Sequence, residues 1–306
     1  MRCYIGAAGR ALCASAPALA QESAAAGASV AEAANEGAEA RDNDEIIVTG
    51  RAQRLYRAET TTVGKVPSDP LDIPQAVQVI TRQLIEDQGA RDITDLYRNV
   101  SGISFFSYSG VTFRGFRQDD AFYDGLRGNP FTGFSVPQLF NIERVEFLKG
   151  PAGMLYGPGS PGGTINYVTK KPEDVFRADI RGIIGNYDRY GGSVDVTGPL
   201  VGSISGRAGL FFEDYDSFRV NAASRTLIAD GGLKFQLGNA AKLIVQATHY
   251  DQDLPGNRLR GVQVDMEGNF LTPITWNHNE PGDFLKLDAQ VYQALFEAAL
   301  SNALSV

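Results

Sequence analysis

Between Gly192 and Ala247 the chain alternates with period two, and this constrains its fold more than any other feature. Gly192, Val194, Val196 and Gly198 alternate with Ser193, Asp195 and Thr197, and Ala208, Leu210 and Phe212 with Gly209, Phe211 and Glu213. Ala229, Gly231, Leu233, Phe235 and Leu237 alternate with Asp230, Gly232, Lys234 and Gln236, and Leu243, Val245 and Ala247 with Ile244, Gln246 and Thr248. Successive side chains of a strand point to opposite faces, so each run gathers its apolar residues on one face and its polar or small ones on the other. With turns expected at Gly198-Pro199 and Gly238-Asn239, the runs predict consecutive antiparallel strands. A soluble β-sandwich and an outer-membrane barrel both give this pattern. No apolar run of about 18 residues occurs, which argues against a spanning helix but not against a barrel. Long strands, paired short and long connections, and aromatics near strand ends (Phe211, Tyr215, Phe218, Tyr250) favour the barrel. Leu254 to Pro281 reads as a long polar loop of the external kind. Phe284 to Val306 fits either a strand or an amphipathic helix through Leu287, Val291, Leu295 and Ala298.

The N-terminus has a different character. Arg2, the small apolar stretch Ala11 to Ala20, and Ala18-Leu19-Ala20 before Gln21 read as a signal peptide over residues 1–20. Both cysteines, Cys3 and Cys13, would leave with it. Residues 21–43 are rich in Ala, Glu, Gly and Asn and read as a flexible linker with too little apolar surface to offset its ordering entropy. The composition changes abruptly at Asp44-Glu45-Ile46-Ile47-Val48-Thr49-Gly50. Its β-branched residues make a short extended segment. That segment is either a recognition strand that adds to another protein's sheet edge or the edge strand of the next domain. A further linker spans residues 51–62.

Residues 63–172 read as a small α+β domain. Ala76 to Ile80 forms a strand, Thr81 caps a short helix carrying Leu84 and Ile85, and Asp92 opens a second helix through Ile93, Leu96, Tyr97 and Val100. Short strands follow at Ile103–Phe106, Val111–Phe116, Asp120–Tyr123, Ile142–Leu148 and Thr164–Thr169.

Little in the chain points to catalysis. Gly157-Pro158-Gly159-Ser160-Pro161-Gly162 satisfies the G-x-G-x-x-G spacing, but a strand rather than a helix follows it, so it reads as a turn. Neither Asp119-Asp120 nor Asp251-Gln252-Asp253 has the partners of a metal site, and His249 and His278 stand apart from potential ligands. No acid, base and nucleophile are assembled, so no catalytic residue, no resident metal and no intrinsic cofactor is expected, and the chain is not read as an enzyme. A net charge of −8 without a Lys/Arg block argues against a nucleic-acid partner. Phe105, Phe106, Tyr108, Phe131 and Phe134 lie on loops rich in turn residues. Their aromatic surface there fits either ligand contact or core packing.

The motifs together resemble those of the TonB-dependent outer-membrane receptors, specifically the ferric-siderophore branch. DEIIVTG (Asp44 to Gly50) looks like a TonB box, and TRQLIEDQGARDITDLYRNVSGI (Thr81 to Ile103) resembles the plug helices. TFRGF (Thr112 to Phe116) and YDGL (Tyr123 to Leu126) match plug strands. NIERVEFLKGPAGMLYGPGSPGGTINYVTKKP (Asn141 to Pro172) is the most specific stretch.

The resemblance covers about residues 44–281. It implies a plug domain followed by transmembrane barrel strands in the cell outer membrane, with the box facing the periplasm. The partners it implies are TonB with its inner-membrane energising complex, outer-membrane lipid, and a ferric siderophore as transported ligand. It makes Asp44, Glu45, Ile46, Ile47, Val48 and Thr49 the TonB-binding strand, and Phe105, Phe106, Tyr108, Arg127, Phe131 and Phe134 candidate ligand contacts. Arg114 and Lys149 stand where similar plugs carry basic residues that meet acidic residues of the barrel wall. Such receptors resemble barrels of about 22 strands, whereas only about 135 residues follow Lys171, enough for about six to eight. The chain therefore reads as an N-terminal portion with an incomplete barrel over residues 173–306. Two functions follow for comparison: an energised importer of ferric siderophores or of another cargo such as cobalamin or a sugar, and a truncated binding product that transports nothing.

Overall fold

The period-two segments become a sheet with its polarity reversed relative to a soluble protein. Val194 is 42% exposed while its neighbour Asp195 is 8% exposed, and the same relation holds along the neighbouring strands. Leu210, Leu233, Val245, Tyr292 and Phe296 are exposed, whereas Thr197, Arg207, Glu213, Thr226, Asp230, Gln246 and Gln252 are buried. Water would reward the opposite arrangement. An apolar outer face around a polar interior is what a barrel wall in lipid requires.

The computed structural model describes residues 56–106, 110–118, 121–131, 136–238, 240–257, 261–301 and 304–305. Asp44–Thr49, Tyr108 and Phe134 lie outside these residues, as do the signal peptide and the first linker.

The reversed sheet is a meander of β9 (Arg177–Gly185), β10 (Arg189–Val201), β11 (Ile204–Asp216), β12 (Ala223–Leu237), β13 (Ala241–Asp253), β14 (Lys286–Ser301) and the short β15 (Leu304–Ser305), all paired antiparallel in chain order. It does not close among the described residues. The two longer connections lie at one end and are tied together: Arg219 donates to the Trp276 carbonyl at 3.0 Å, and Val220 N–H to the Thr275 carbonyl at 2.9 Å.

Several details depart from the sequence reading. Gly198-Pro199 is not a turn but lies inside β10, and the chain reverses at Gly202 instead. Proline is tolerated there because β9 pairs with β10 only as far as Thr197, leaving that side of Pro199 without a ladder partner. Phe211 and Tyr250 point inward, not toward lipid: Phe211 stacks on Phe140 at 5.6 Å, and Tyr250 meets Phe131 at 4.8 Å. The terminal segment takes the strand alternative, with β14 in unbroken register against β13 from Asp253↔Lys286 to Ala241↔Ala298.

Against the inner face sits the α+β domain. Its strands are β1 (Ala76–Thr81), β2 (Ile103–Phe105), β3 (Val111–Phe113), β4 (Phe116–Gln118), β5 (Ala121–Tyr123), β6 (Leu126–Arg127), β7 (Ile142–Lys149) and β8 (Gly163–Thr169). Its helices are α1 (Arg82–Asp87), α2 (Ile93–Leu96) and α3 (Gly153–Tyr156). A five-stranded sheet runs in the order β1-β7-β8-β5-β6, and β2-β3-β4 form a second sheet. The caps act as the sequence suggests: Thr81 Oγ1 accepts from Leu84 N–H at 3.4 Å and Asp92 Oδ1 from Thr94 N–H at 2.9 Å. The second helix is shorter than its periodicity implied and passes into a 3₁₀ turn over Tyr97–Asn99.

Val111–Phe116 is a hairpin rather than one strand. It turns on Arg114 (φ 52°) and Gly115 (φ 83°), two successive left-handed residues of the kind a tight hairpin turn needs. The core joins both parts: Phe113, Phe147, Val145 and Ile165 of the domain form one cluster with Ile228 and Tyr250 of the wall.

Candidate functional site: the plug surface and its seat in the wall

The three-stranded sheet carries an exposed aromatic edge. Phe105, Phe106 and Phe116 each leave about half their surface to solvent, and the Arg117 guanidinium lies 5.2 Å over the Phe106 ring. Phe105 rests on the buried Tyr97 at 5.4 Å. The remaining candidates lie elsewhere in the fold. Arg127 is on β6, where its guanidinium lies 5.1 Å over Phe122 and donates to the carbonyls of Tyr156 (3.1 Å) and Pro158. It thereby braces the Gly157–Gly162 turn. Phe131 is 2% exposed, with its N–H held by Asn129 Oδ1 at 3.0 Å. For this residue the core-packing alternative holds. The end of the glycine-rich turn is a close approach of chains, not a phosphate cradle: a Cβ on Gly162 would fall 1.9 Å from the Phe113 carbonyl oxygen.

Arg114 and Lys149 come together. The Arg114 guanidinium lies beside Gly150, and Lys149 Nζ donates to Ser101 Oγ at 2.7 Å. Partial burial, and then the Arg114 charge, lower the Lys149 pKa from its ordinary value. Among the described residues no carboxylate is in ion-pair range of either.

A different set of charges fastens the domain to the wall, and the sequence reading missed it. Lys170 and Lys171 follow β8 and reach different partners. Lys170 Nζ pairs with Asp195 Oδ2 at 2.9 Å. Arg207 holds Asp195 through Nε at 2.8 Å and Nη2 at 3.0 Å, and pairs with Asp230 through Nη1. Lys171 Nζ pairs with Asp124 Oδ2 at 2.8 Å and donates to Gln246 Oε1 at 2.6 Å. Gln293 Nε2 donates to the same Asp124 and Gln246 oxygens, at 2.8 Å each, and Gln246 Nε2 donates to the Lys170 carbonyl at 2.7 Å. Burial lowers the pKa of both lysines against the opposing pull of Asp195 and Asp124. A second tie joins α1 to β9: Arg82 pairs with Asp179 at 2.8 Å and Arg181 with Glu86 at 2.6 Å. The signal was present in the alternation. Asp195, Arg207, Asp230 and Gln246 all fall on the polar face, and four such residues facing a common interior require partners.

This arrangement matches known proteins in both sequence and structure. Residues 69–164 match the family model of the TonB-dependent receptor plug domain. The ferripyoverdine receptor of Pseudomonas aeruginosa is 33% identical over 221 residues, covering 68% of this chain and 27% of the receptor. The catecholate siderophore receptor Fiu of Escherichia coli is 29% identical over 234 residues, covering 73% and 30%. The crystal structure of the P. aeruginosa outer-membrane ferripyoverdine receptor bound to ferripyoverdine superposes with a TM-score of 0.73 at 29% identity, over 79% of this chain and 34% of that one. The open form of E. coli Fiu superposes with a TM-score of 0.70 at 25% identity, over 81% and 40%. The chain thus spans somewhat over a quarter of the length of these curated relatives. A plug of this family, continuous with a lipid-facing wall and fastened inside it, places the chain among the TonB-dependent receptors of the outer membrane.

Proposed function

We propose that the receptor carrying this chain binds a ferric siderophore complex on its outer side and imports it with energy relayed by TonB and its inner-membrane complex. The observation that carries this reading is the plug itself, seated on the polar inner face of an apolar-coated wall and similar to plugs of ferripyoverdine and ferric-catecholate receptors. A domain so placed obstructs the lumen, and passage of a bulky chelate requires it to move. The plug domain is taken as residues 63–172 and the wall as residues 173–306. Asp44, Glu45, Ile46, Ile47, Val48 and Thr49 form the strand that TonB engages through backbone hydrogen bonds.

Phe105, Phe106, Tyr108, Arg127 and Phe134 are the proposed contacts of the anionic chelate, offering flat aromatic surface and positive charge. Phe131, buried against Tyr250, contributes by holding its loop. Arg114 and Lys149 form a paired cationic anchor for acidic residues of the barrel wall. Cobalamin or a sugar is the alternative cargo. Uptake of radiolabelled iron complexes in cells with and without TonB tests the reading. Accumulation of a ferric siderophore only where TonB is present supports it. Accumulation of cobalamin or a sugar instead assigns the other cargo.

A further inference from the structure

Ahead of β1 the chain makes a short loop that is tied to the plug from its side. Thr61 and Ser68 exchange backbone hydrogen bonds of 2.9 and 3.0 Å, closing the loop at its base. Thr62 N–H donates to Glu146 Oε1 at 3.0 Å, and its hydroxyl to Glu146 Oε2 at 3.2 Å. Glu146 is fully buried in β7 and also accepts from Arg144 Nε at 2.8 Å and Asn166 Nδ2 at 2.9 Å. Val63 is fully buried beside Leu148 and Tyr156, whose hydroxyl donates to the Val63 carbonyl at 2.9 Å. The Lys65 ammonium lies 4.1 Å over the Tyr156 ring.

We propose that Thr61–Lys65 is a strap that opens on its own, ahead of the plug sheet, with Glu146 as its catch. The asymmetry of the contact is the reason. When the strap leaves, Glu146 keeps Arg144 and Asn166, so no buried charge is left without a partner and the sheet need not rearrange. The contact of Lys170 with the wall differs: among the described residues its ammonium pairs with no carboxylate besides Asp195, so parting plug from wall there leaves that charge without an ion-pair partner. The strap also stands first along the chain: force arriving from Asp44–Thr49 meets Thr62 before it meets β1. That use of the strap rests on the coupling role proposed above for Asp44–Thr49. Its opening does not.

Hydrogen exchange of the purified receptor, without cargo or energy, tests the strap. Backbone amides of Thr62, Val63 and Lys65 should exchange through a local opening that leaves β1 and β7 protected. Glu146→Gln removes the charge from the acceptor and should speed strap exchange about tenfold or more, with β7 and β8 unchanged. If the strap amides open only together with β1 and β7, or if Glu146→Gln leaves their exchange unchanged, the strap is part of the sheet and the proposal fails. Should Glu146→Gln also loosen β7, Thr62→Val decides, since it removes the hydroxyl's contacts to Glu146 and Arg144 and keeps the Thr62 N–H bond and the Glu146 charge. Faster exchange confined to the strap then supports the catch, and unchanged exchange overturns it. A receptor that imports no siderophore would refute the import reading without touching this result.

Discussion

Asp124→Asn removes a charge at the plug's seat, where Asp124 faces Lys171 of the plug and Gln293 of the wall. Asp124 is the first residue of the β5–β6 turn, at φ 49° and followed by Gly125 at φ 77°. Asparagine tolerates that backbone and can still accept from Thr169 N–H, now 3.1 Å from Asp124 Oδ1. What disappears is the negative charge facing Lys171. The Asp124 side chain is 3% exposed and that of Lys171 24%. Breaking one partner of a buried pair costs about 3–5 kcal/mol. Lys171 keeps Gln246 and some water, so a hydrogen bond to a charged group, about 1.5–3 kcal/mol, is the better scale. Taking about 2 kcal/mol, the variant should open the Thr169 region about thirtyfold more often, read as faster exchange of the Thr169 amide in the purified receptor. Lys171→Met should cost less, because it leaves Asp124 with Gln293 and the Thr169 hydroxyl. In the double variant the penalties should fall short of their sum by about 1 kcal/mol or more. Strict additivity would mean that the two groups do not feel each other and would rule out the pair.

Three further outcomes separate the roles of individual residues. Phe106→Ala should weaken ferric-siderophore binding by about tenfold with the fold intact. Phe131→Ala should instead cost about 3–5 kcal/mol of plug stability, as measured by calorimetry and direct binding on the same samples. Ile47→Pro should abolish uptake while leaving ligand binding intact, because proline removes an N–H from a strand held through its backbone. Ile47→Ala should retain substantial uptake, so side-by-side binding and uptake assays distinguish coupling from folding. Desolvation, reinforced by Asp95, raises the Asp92 carboxyl above its ordinary value. Its stabilising contribution is therefore complete below the ordinary pKa of about 3.9 and lost as pH rises through the raised folded value. Asp92→Asn keeps the helix cap and should flatten that part of the stability–pH profile in a denaturant titration.

Much of the wall could be read from the chain because alternation is a local property. Each strand from β10 to β13 announces its two faces within a few residues, although the sequence does not say which face meets water. That answer came from the resemblance of Asn141–Pro172 to plug motifs and from the exposure of Val194 beside the buried Asp195. The plug elements were legible wherever a cap or a β-branched run marked them, as at Thr81 and in β7. The Arg114–Gly115 hairpin was not, because a non-glycine residue at positive φ leaves little local trace. Pro199 misled for the opposite reason: it is a turn signal in isolation and acceptable in a strand whose one side lacks a partner. Contacts joining distant parts of the chain were the least visible. Lys171 and Gln246 are 75 residues apart, and nothing local in either segment pairs them. Phe131 and Phe106 looked alike on their loops, and only the position of Tyr250 puts one in the core.

Spin labels in the receptor embedded in lipid report which face of the reversed sheet meets the bilayer. Labels at Val194, Leu210 and Val245 should be reached by oxygen dissolved in the bilayer and shielded from a water-soluble nickel relaxant. Labels at Thr197 and Thr226, which are buried on the polar face, should be far less accessible to oxygen than the first set. That contrast should repeat with period two along β10 to β13. Oxygen access at Thr197 and Thr226 with nickel access at Val194, Leu210 and Val245 would contradict it, because the apolar face would then lie in water.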